Sequence, residues 1–335
     1  EAYTTDEKKK GSTTELPIKD GLFPTTGYTL KAKALSVQSR LSEPLFYQIT
    51  HAGFDKRPPA GQVVDPQDVI PLPLWVCRSQ DGGRTWEDRG KLGLIDGVEY
   101  GYVFEAITEE RTTWLLVMRF TNLEGGIPVD PQRPHAGSVD VIRTDNNGHS
   151  WTLVRNLTEE CGGISINESS FIRYGDGFII SARGYDNRQW LIRTNGDFKL
   201  RKKVDLNATN SFIKSYVGRP RLFERDGGFY LLGRNWDKPP TDRGSVLGYN
   251  QEKLRQPGTT LMKLSLFRFD PLTFAISKHV ILDNVEEENV IDGYYAVPYW
   301  QERRGHSYFN TIIYKRPISR NPDIVRLEFD WEEIR

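Results

Sequence analysis

The chain has 335 residues and carries 45 basic and 45 acidic side chains, so its formal net charge is zero. This balance gives no electrostatic reason to expect nucleic acid as a partner. No apolar run is long enough to span a membrane, and the spacing of the two cysteines, Cys77 and Cys161, matches no zinc motif. We therefore expect no membrane span, no metal and no other cofactor. The two cysteines are either free thiols or one disulfide.

The polar residues 1–26 predict a loose N-terminal arm, and residues 27–335 predict a single domain. Within that domain, short runs with period-2 alternation are separated by turn residues, which is typical of β-strands. They fall into groups of four. The predicted strands are 34–38, 45–50, 74–78 and 86–89; 102–108, 114–120, 138–143 and 151–155; 169–173, 178–183, 189–193 and 198–204; 219–224, 229–234, 261–269 and 274–282; and 294–300, 308–315 and 323–329.

Repeated groups of four strands predict an all-β fold, a β-propeller with five four-stranded blades. The last group is one strand short, and residues 16–19 of the arm would supply the missing strand and close the ring, which removes free sheet edges. Six blades, with the sixth in residues 1–45 or 236–260, is the main alternative. A two-sheet sandwich is the other.

Two tight turns share a sequence pattern. Ser79–Trp86 reads Ser-x-Asp-x-Gly-x-Thr-Trp, and Thr144–Trp151 is a weaker copy with Asn146 in the Asp position. In such a turn the Asp or Asn side chain accepts hydrogen bonds from backbone N–H groups, and the Trp packs over the turn. The two copies resemble the Asp box (BNR repeat) of the sialidase-like β-propeller superfamily, in which the motif lies on the face away from the active site.

The long connections, residues 51–72, 121–137, 235–260 and 316–322, all join a second strand to a third, which places them on one face. Long loops on a rigid scaffold commonly carry function, so this is the predicted binding face. Each second strand ends there in a basic residue: His51, Arg119, Arg183, Arg234 and Lys315. A ring of such residues favours an anionic ligand. Alternatively, these side chains pair with carboxylates of neighbouring blades.

The segment from Glu168 to Arg183 also resembles sialidases, and so does the segment around Tyr294. The resemblance implies that Glu168 is a base that activates Tyr294 as nucleophile, that Arg183 binds a substrate carboxylate, and that Asp68 is the general acid, with Asp65 and Asp55 as alternatives. Arg219 and Trp236 would form a further sugar subsite. Packing roles and a purely structural Glu168–Arg183 ion pair are the alternatives.

Together these features predict a glycoside hydrolase that acts at the end of an acidic or decorated glycan and works as a monomer. A uronate lyase with His51 or a tyrosine as base, and a non-catalytic carbohydrate-binding propeller, are the alternative functions. The three glycosylation sequons, at Asn156, Asn167 and Asn207, favour a secreted or periplasmic protein.

Overall fold

The computed structural model describes the greater part of the chain. The described residues are 34–36, 46–50, 74–79, 85–98, 100–120, 123–124, 127–128, 137–184, 186–236, 262–283, 290–317 and 323–335. The predicted arm, the closing strand at 16–19, and the candidates His51, Asp55, Asp65 and Asp68 lie outside these residues.

The described strands form consecutive antiparallel sheets. Sheet one contains β1 (Ala34–Ser36), β2 (Phe46–Thr50), β3 (Trp75–Ser79) and β4 (Glu87–Lys91). Sheet two contains β5 (Tyr100–Glu109), β6 (Thr112–Phe120), β9 (Gly137–Thr144) and β10 (Thr152–Asn156). Between its second and third strands, β7 (Leu123–Glu124) pairs with β8 (Ile127–Pro128).

Sheets three and four repeat the same order. Sheet three contains β11 (Ile166–Tyr174), β12 (Gly177–Gly184), β13 (Gln189–Asn195) and β14 (Leu200–Asp205). Sheet four contains β15 (Gly218–Arg225), β16 (Gly228–Trp236), β17 (Met262–Phe269) and β18 (Ile276–Asp283). Each of these strands pairs with the next one in the chain.

The fifth sheet is built around one long strand, β21 (His306–Pro317). On one edge it pairs with β19 (Val290–Gly293) and β20 (Val297–Arg303), and on the other with β22 (Asp323–Asp330). One-turn helices are α1 (Leu157–Glu160), α2 (Leu206–Thr209) and α3 (Trp331–Ile334). No described helix has both the length and the apolar character needed to cross a membrane.

The meandering sheets confirm the prediction of an all-β β-propeller. The predicted strands match the observed ones closely except for 294–300, where residues 294–296 instead separate β19 from β20. The first strands of sheets two, three and four lie side by side, since β5 contacts β11 and β11 contacts β15. Inner strands gathered around an axis are the arrangement expected of a propeller. The count of five blades, the six-blade alternative, the closing strand and the domain limits stay predictions, because they depend on residues outside the described set.

The core lies between successive sheets. One cluster joins sheets one and two, a second joins two and three, a third joins three and four, and a fourth joins four and five. In β6, Leu115 and Val117 face sheet one, whereas Leu116 and Met118 face sheet three. Sheets two, three and four are each covered on both faces. Their strands therefore contain continuous apolar runs as well as simple alternation.

In the turns between third and fourth strands, the side-chain oxygen of an Asn accepts hydrogen bonds from within the turn. In the second Asp-box copy, Asn146 Oδ1 accepts hydrogen bonds from Thr144 Oγ1 (2.9 Å) and from the backbone N–H of Ser150 (3.0 Å). In sheet three, Asn195 Oδ1 accepts the backbone N–H groups of Asp197 and Lys199. In the first copy, residues 81–84 are outside the described set. The predicted role of an Asp or Asn acceptor therefore holds where the structure describes it.

Replacing Asn146 by Ala is expected to lower the free energy of unfolding by about 1 kcal/mol, because the turn loses its side-chain acceptor. Asn146→Asp keeps that acceptor and is expected to stay close to wild type. Urea unfolding of the two variants checks this. His149→Ala, an exposed change in the same turn, is the control, and equal losses in all three variants would contradict the acceptor role.

Both cysteines are free thiols in the structure. Cys161 is 1% exposed, and burial raises the pKa of its thiol to about 11. Burial, with Asp88 nearby, also raises the pKa of Cys77.

We expect a thiol reagent to find two thiols per chain after unfolding without reductant. In the native state, Cys161 in a Cys77→Ser variant should react roughly a hundredfold more slowly than when unfolded, because little thiolate forms. Measuring the release of chromophore with time checks both points. A count of zero in the unfolded wild-type chain would instead show a disulfide.

Candidate active site

Glu168 is the residue at which three sheets meet. It lies near the start of β11, and its Oε2 accepts hydrogen bonds from Arg183 Nη1 (3.1 Å) and from the backbone N–H of Arg219 (2.8 Å). Its Oε1 accepts from the phenol of Tyr295 at 2.5 Å. Arg183 comes from sheet three, Arg219 from sheet four and Tyr295 from sheet five. Glu168 is 7% exposed, so these donors from sheets three, four and five hold a buried carboxylate.

Breaks in strand register turn these side chains toward one another. The pairing of β11 with β12 shifts between Ile166 and Ser169, and that of β15 with β16 shifts between Gly218 and Arg221. Glu168 and Arg219 lie within these two shifts. A β-bulge inserts an extra residue and redirects the side chain that follows, and bulges are common beside active sites.

A break in strand register also occurs in sheet five. Gly293 pairs with Lys315 and Val297 pairs with Ile312, so the three residues 294–296 face only two residues of β21. Tyr294, at the start of this break, has a left-handed φ of 62°. A left-handed non-glycine residue is strained, and such strain is often found at functional sites. The break brings the side chain of Tyr295 to Glu168.

The tyrosine that contacts Glu168 is Tyr295, and the predicted Tyr294 lies elsewhere. Tyr294 has no exposed surface and belongs to the core between sheets four and five. Burial, and then Asp283 nearby, raise the pKa of its phenol well above the usual range. Tyr295 is half-buried and contacts Glu168. Gly293 is the sequence signal for the break that turns Tyr295 toward Glu168, because a glycine just before the two tyrosines marks an interruption of the strand.

Two arginines and several aromatic rings surround the Glu168–Tyr295 pair. The Arg183 guanidinium lies 3.8 Å from the ring centre of Tyr216, a residue that the sequence analysis did not identify. Arg234 lies 5.9 Å from the ring of Tyr216, 5.8 Å from Trp236 and 5.5 Å from Tyr295. Such distances are those of cation–π contacts. Tyr216 precedes β15 in a segment without regular structure, which is why strand patterns gave no sign of it.

Arg183 stays charged in this setting. Burial disfavours its guanidinium, but Tyr216 and Glu168 beside it raise the pKa above its ordinary value, while Arg234 opposes them. Its side chain is 20% exposed, against 9% for Glu168. Arg183 is therefore the charged group of this cluster that meets solvent.

Three arginines contact the Glu168–Tyr295 pair. Arg183 contacts Glu168 through its side chain, Arg219 contacts Glu168 through its backbone N–H, and Arg234 lies against the ring of Tyr295. Arg234 also lies against the backbone of β15, where a Cβ on Gly218 would come within 2.4 Å of its Nε, so a larger residue there would displace the guanidinium.

The other predicted site residues have different positions. Trp236 is 8% exposed and packs in the core, so it does not offer an open stacking surface. Arg219 is 2% exposed and holds Glu168 through its backbone N–H. Both therefore act inside the protein, and neither presents the exposed sugar subsite that the sequence suggested.

Arg119 belongs to a different cluster. It pairs with the buried Asp140 at 2.7 Å, and Tyr100 donates to the same carboxylate at 2.7 Å. It also lines a separate cavity of about 540 Å³, together with Arg155 and Glu159 among others. Arg119 thus pairs with a carboxylate of its own sheet, whereas the sequence alternative was pairing with carboxylates of neighbouring blades. His51 and Asp68 stay predictions, because they lie outside the described residues.

Other features of the described residues bear on the sequence expectations. No group of three or more His, Cys, Asp or Glu side chains in the described part of the chain is arranged to hold a metal ion. The sequon residue Asn156 caps α1 by accepting the backbone N–H of Glu159, and Asn207 accepts the backbone N–H of Gln189. Since these amides have structural roles, the two sequons give little support to secretion, which stays a prediction.

No protein-family model matches the chain, and no curated protein matches it. Among solved structures, an α-L-arabinofuranosidase from Clostridium thermocellum is 10% identical, with 84% of this chain and 90% of that chain covered and a TM-score of 0.45. An endo-arabinase from Bacteroides thetaiotaomicron is 12% identical, with coverage of 85% and 89% and a TM-score of 0.47. A β-xylosidase/α-arabinofuranosidase from a compost microbial metagenome is 11% identical, with coverage of 92% and 92% and a TM-score of 0.47.

Similarities of this size identify neither a family nor a substrate. The sialidase-like resemblance of the sequence motifs also stays a prediction.

Proposed function

We propose that the protein is a glycoside hydrolase of the sialidase-like kind that acts on an anionic glycan, with Tyr295 as nucleophile and Glu168 as its base. The observation that carries this proposal is the 2.5 Å hydrogen bond from the Tyr295 phenol to Glu168. A phenol is a weak nucleophile unless a base accepts its proton, and a base within hydrogen-bond distance meets that requirement.

In the proposed reaction, the Tyr295 oxygen attacks the anomeric carbon while its proton passes to Glu168. The bond from that carbon to the leaving group breaks, and an acid protonates the departing oxygen. Water then attacks the same carbon and gives a proton to the acid group, which lost its own in the first step. The bond from the carbon to the Tyr295 oxygen breaks, and Glu168 returns its proton to that oxygen. Two displacements at one carbon retain its configuration, and a tyrosine nucleophile is a known exception to the two-carboxylate scheme. Asp68 remains the proposed acid.

The proposal of an anionic substrate rests on Arg183. Arg183 is the partly exposed guanidinium beside Tyr295, and its planar fork suits a carboxylate or sulfate. A neutral phenol also avoids the repulsion that a carboxylate nucleophile would exert on such a substrate. The proposal therefore places an acidic group of the glycan against Arg183, with Arg234 behind it.

The deciding experiment is a product assay on a panel of acidic glycans, in which reducing ends and ultraviolet absorbance are measured together. New reducing ends without absorbance are expected. New absorbance from an unsaturated product would contradict hydrolysis and support the uronate lyase, with His51 as the next residue to test. Ligand binding without any product, measured by calorimetry on the same panel, would support the carbohydrate-binding alternative. Terminal or internal cleavage, read from product sizes, tests the expectation of action at chain ends.

A further inference from the structure

A second polar layer lies next to the Glu168–Tyr295 pair, and Arg221 is its centre. Arg221 is on β15, only 7% exposed, and its Nη1 donates to Glu105 Oε2 at 2.6 Å. Its Nε donates to the backbone carbonyl of Ala296 at 3.2 Å, and Nη1 also reaches the carbonyl of Phe104 at 3.4 Å. One side chain of sheet four thereby binds sheets two and five.

The contact with Ala296 matters because of where that carbonyl lies. Ala296 follows Tyr295 directly, in the three-residue break between β19 and β20. On the other side of Tyr295, the backbone N–H of Tyr294 donates to the carbonyl of Tyr314 at 2.7 Å. Tyr295 is therefore held between two backbone anchors, and Arg221 supplies the second.

The same layer also reaches the strand that carries Glu168. Ser170 follows Glu168 by two residues on β11. Its hydroxyl donates to Glu105 Oε2 at 3.1 Å and accepts the backbone N–H of Leu222 at 2.9 Å. Glu105 thus connects the Glu168 strand with the guanidinium that holds the Tyr295 segment.

We propose that Arg221, supported by Glu105, is a positioning residue that fixes Tyr295 against Glu168. The guanidinium fork is suited to this task, because it donates to a carboxylate and to a carbonyl in different directions at once. The effect of Arg221 on the rate rests on the proposed role of Tyr295 as nucleophile. The effect of Arg221 on the position of the Tyr295 ring is independent of that role.

The geometric part is tested with protein labelled with 3-fluorotyrosine, in which the Tyr295 fluorine signal is assigned by its loss in Tyr295→Phe. In Arg221→Ala, that signal is expected to shift by more than its linewidth, and added guanidinium chloride, compared with the same concentration of sodium chloride, should move it back. Arg201→Ala, which removes an exposed arginine paired with Asp176, is the matched control and should leave the signal in place.

Should Arg221→Ala fail to fold, Arg221→Lys is measured instead, since it keeps the charge but loses the fork. An unchanged Tyr295 signal in whichever variant folds would overturn the proposal. On a cleaved substrate, kcat should fall by about a hundredfold with KM within roughly twofold, as expected when orientation rather than binding is lost. If the wild-type protein cleaves nothing, the proposed function fails, whereas the fluorine signal still decides whether Arg221 positions Tyr295.

Discussion

Changing Glu168 to Gln is expected to lower kcat on a cleaved glycan by about 10²- to 10⁴-fold, because the base that accepts the Tyr295 proton is lost. The amide keeps the size of the side chain and an oxygen that can accept from the backbone of Arg219. The charge-assisted bond from Arg183 weakens, so the free energy of unfolding should fall by about 1–3 kcal/mol. Steady-state kinetics and urea unfolding measure the two effects separately.

The matched control is Glu302→Gln, since Glu302 pairs with Arg225 at the surface and its side chain is 61% exposed. That change should leave the rate unaltered. A Glu168→Gln protein that is folded and turns over at the wild-type rate would remove Glu168 from the mechanism. The Glu168–Arg183 ion pair would then have only the structural role that the sequence analysis kept as an alternative.

Changing Tyr295 to Phe is expected to lower the rate by about a thousandfold or more, because the nucleophilic oxygen is removed while the ring is kept. Changing Tyr294 to Phe removes only a buried hydroxyl and should leave kcat near wild type, so the two adjacent positions serve as each other's control. In the double variant Glu168→Gln/Tyr295→Phe, the loss should be about that of the larger single change, since residues that act as one unit are not additive.

These kinetics decide between the two tyrosines. A large loss in Tyr294→Phe, with Tyr295→Phe near wild type, would restore the residue suggested by the sequence resemblance. Denaturation of the Tyr294→Phe protein by urea completes the test, because a change in the core between sheets four and five is expected to affect stability rather than rate.

The sequence determined the propeller sheets well because its signals there are local. Alternating or continuous apolar runs mark the strands, and turn residues such as Asn146 mark their ends. The binding face that loop length predicts stays a prediction, because most of the long loops lie outside the described residues. Glu168 and Arg183 were identified from the resemblance of their segment to sialidases. Their contact could be expected because they lie 15 residues apart on one hairpin, which limits their distance in space.

Only the tertiary structure decided which side chains meet at Glu168. Strand alternation gives the facing of a side chain only along an uninterrupted ladder, and one extra residue reverses it. The break at 294–296 thus sends Tyr294 into the core and Tyr295 to a carboxylate 127 residues away.

The same limit explains the remaining site residues. Arg119 met a buried carboxylate, Trp236 entered the core and Arg219 acted through its backbone, because each outcome depends on contacts between strands or sheets. The local sequence carries no signal for such partners. The sequence therefore determined the order of strands and turns. Packing of the sheets around the axis determined which side chains come into contact there.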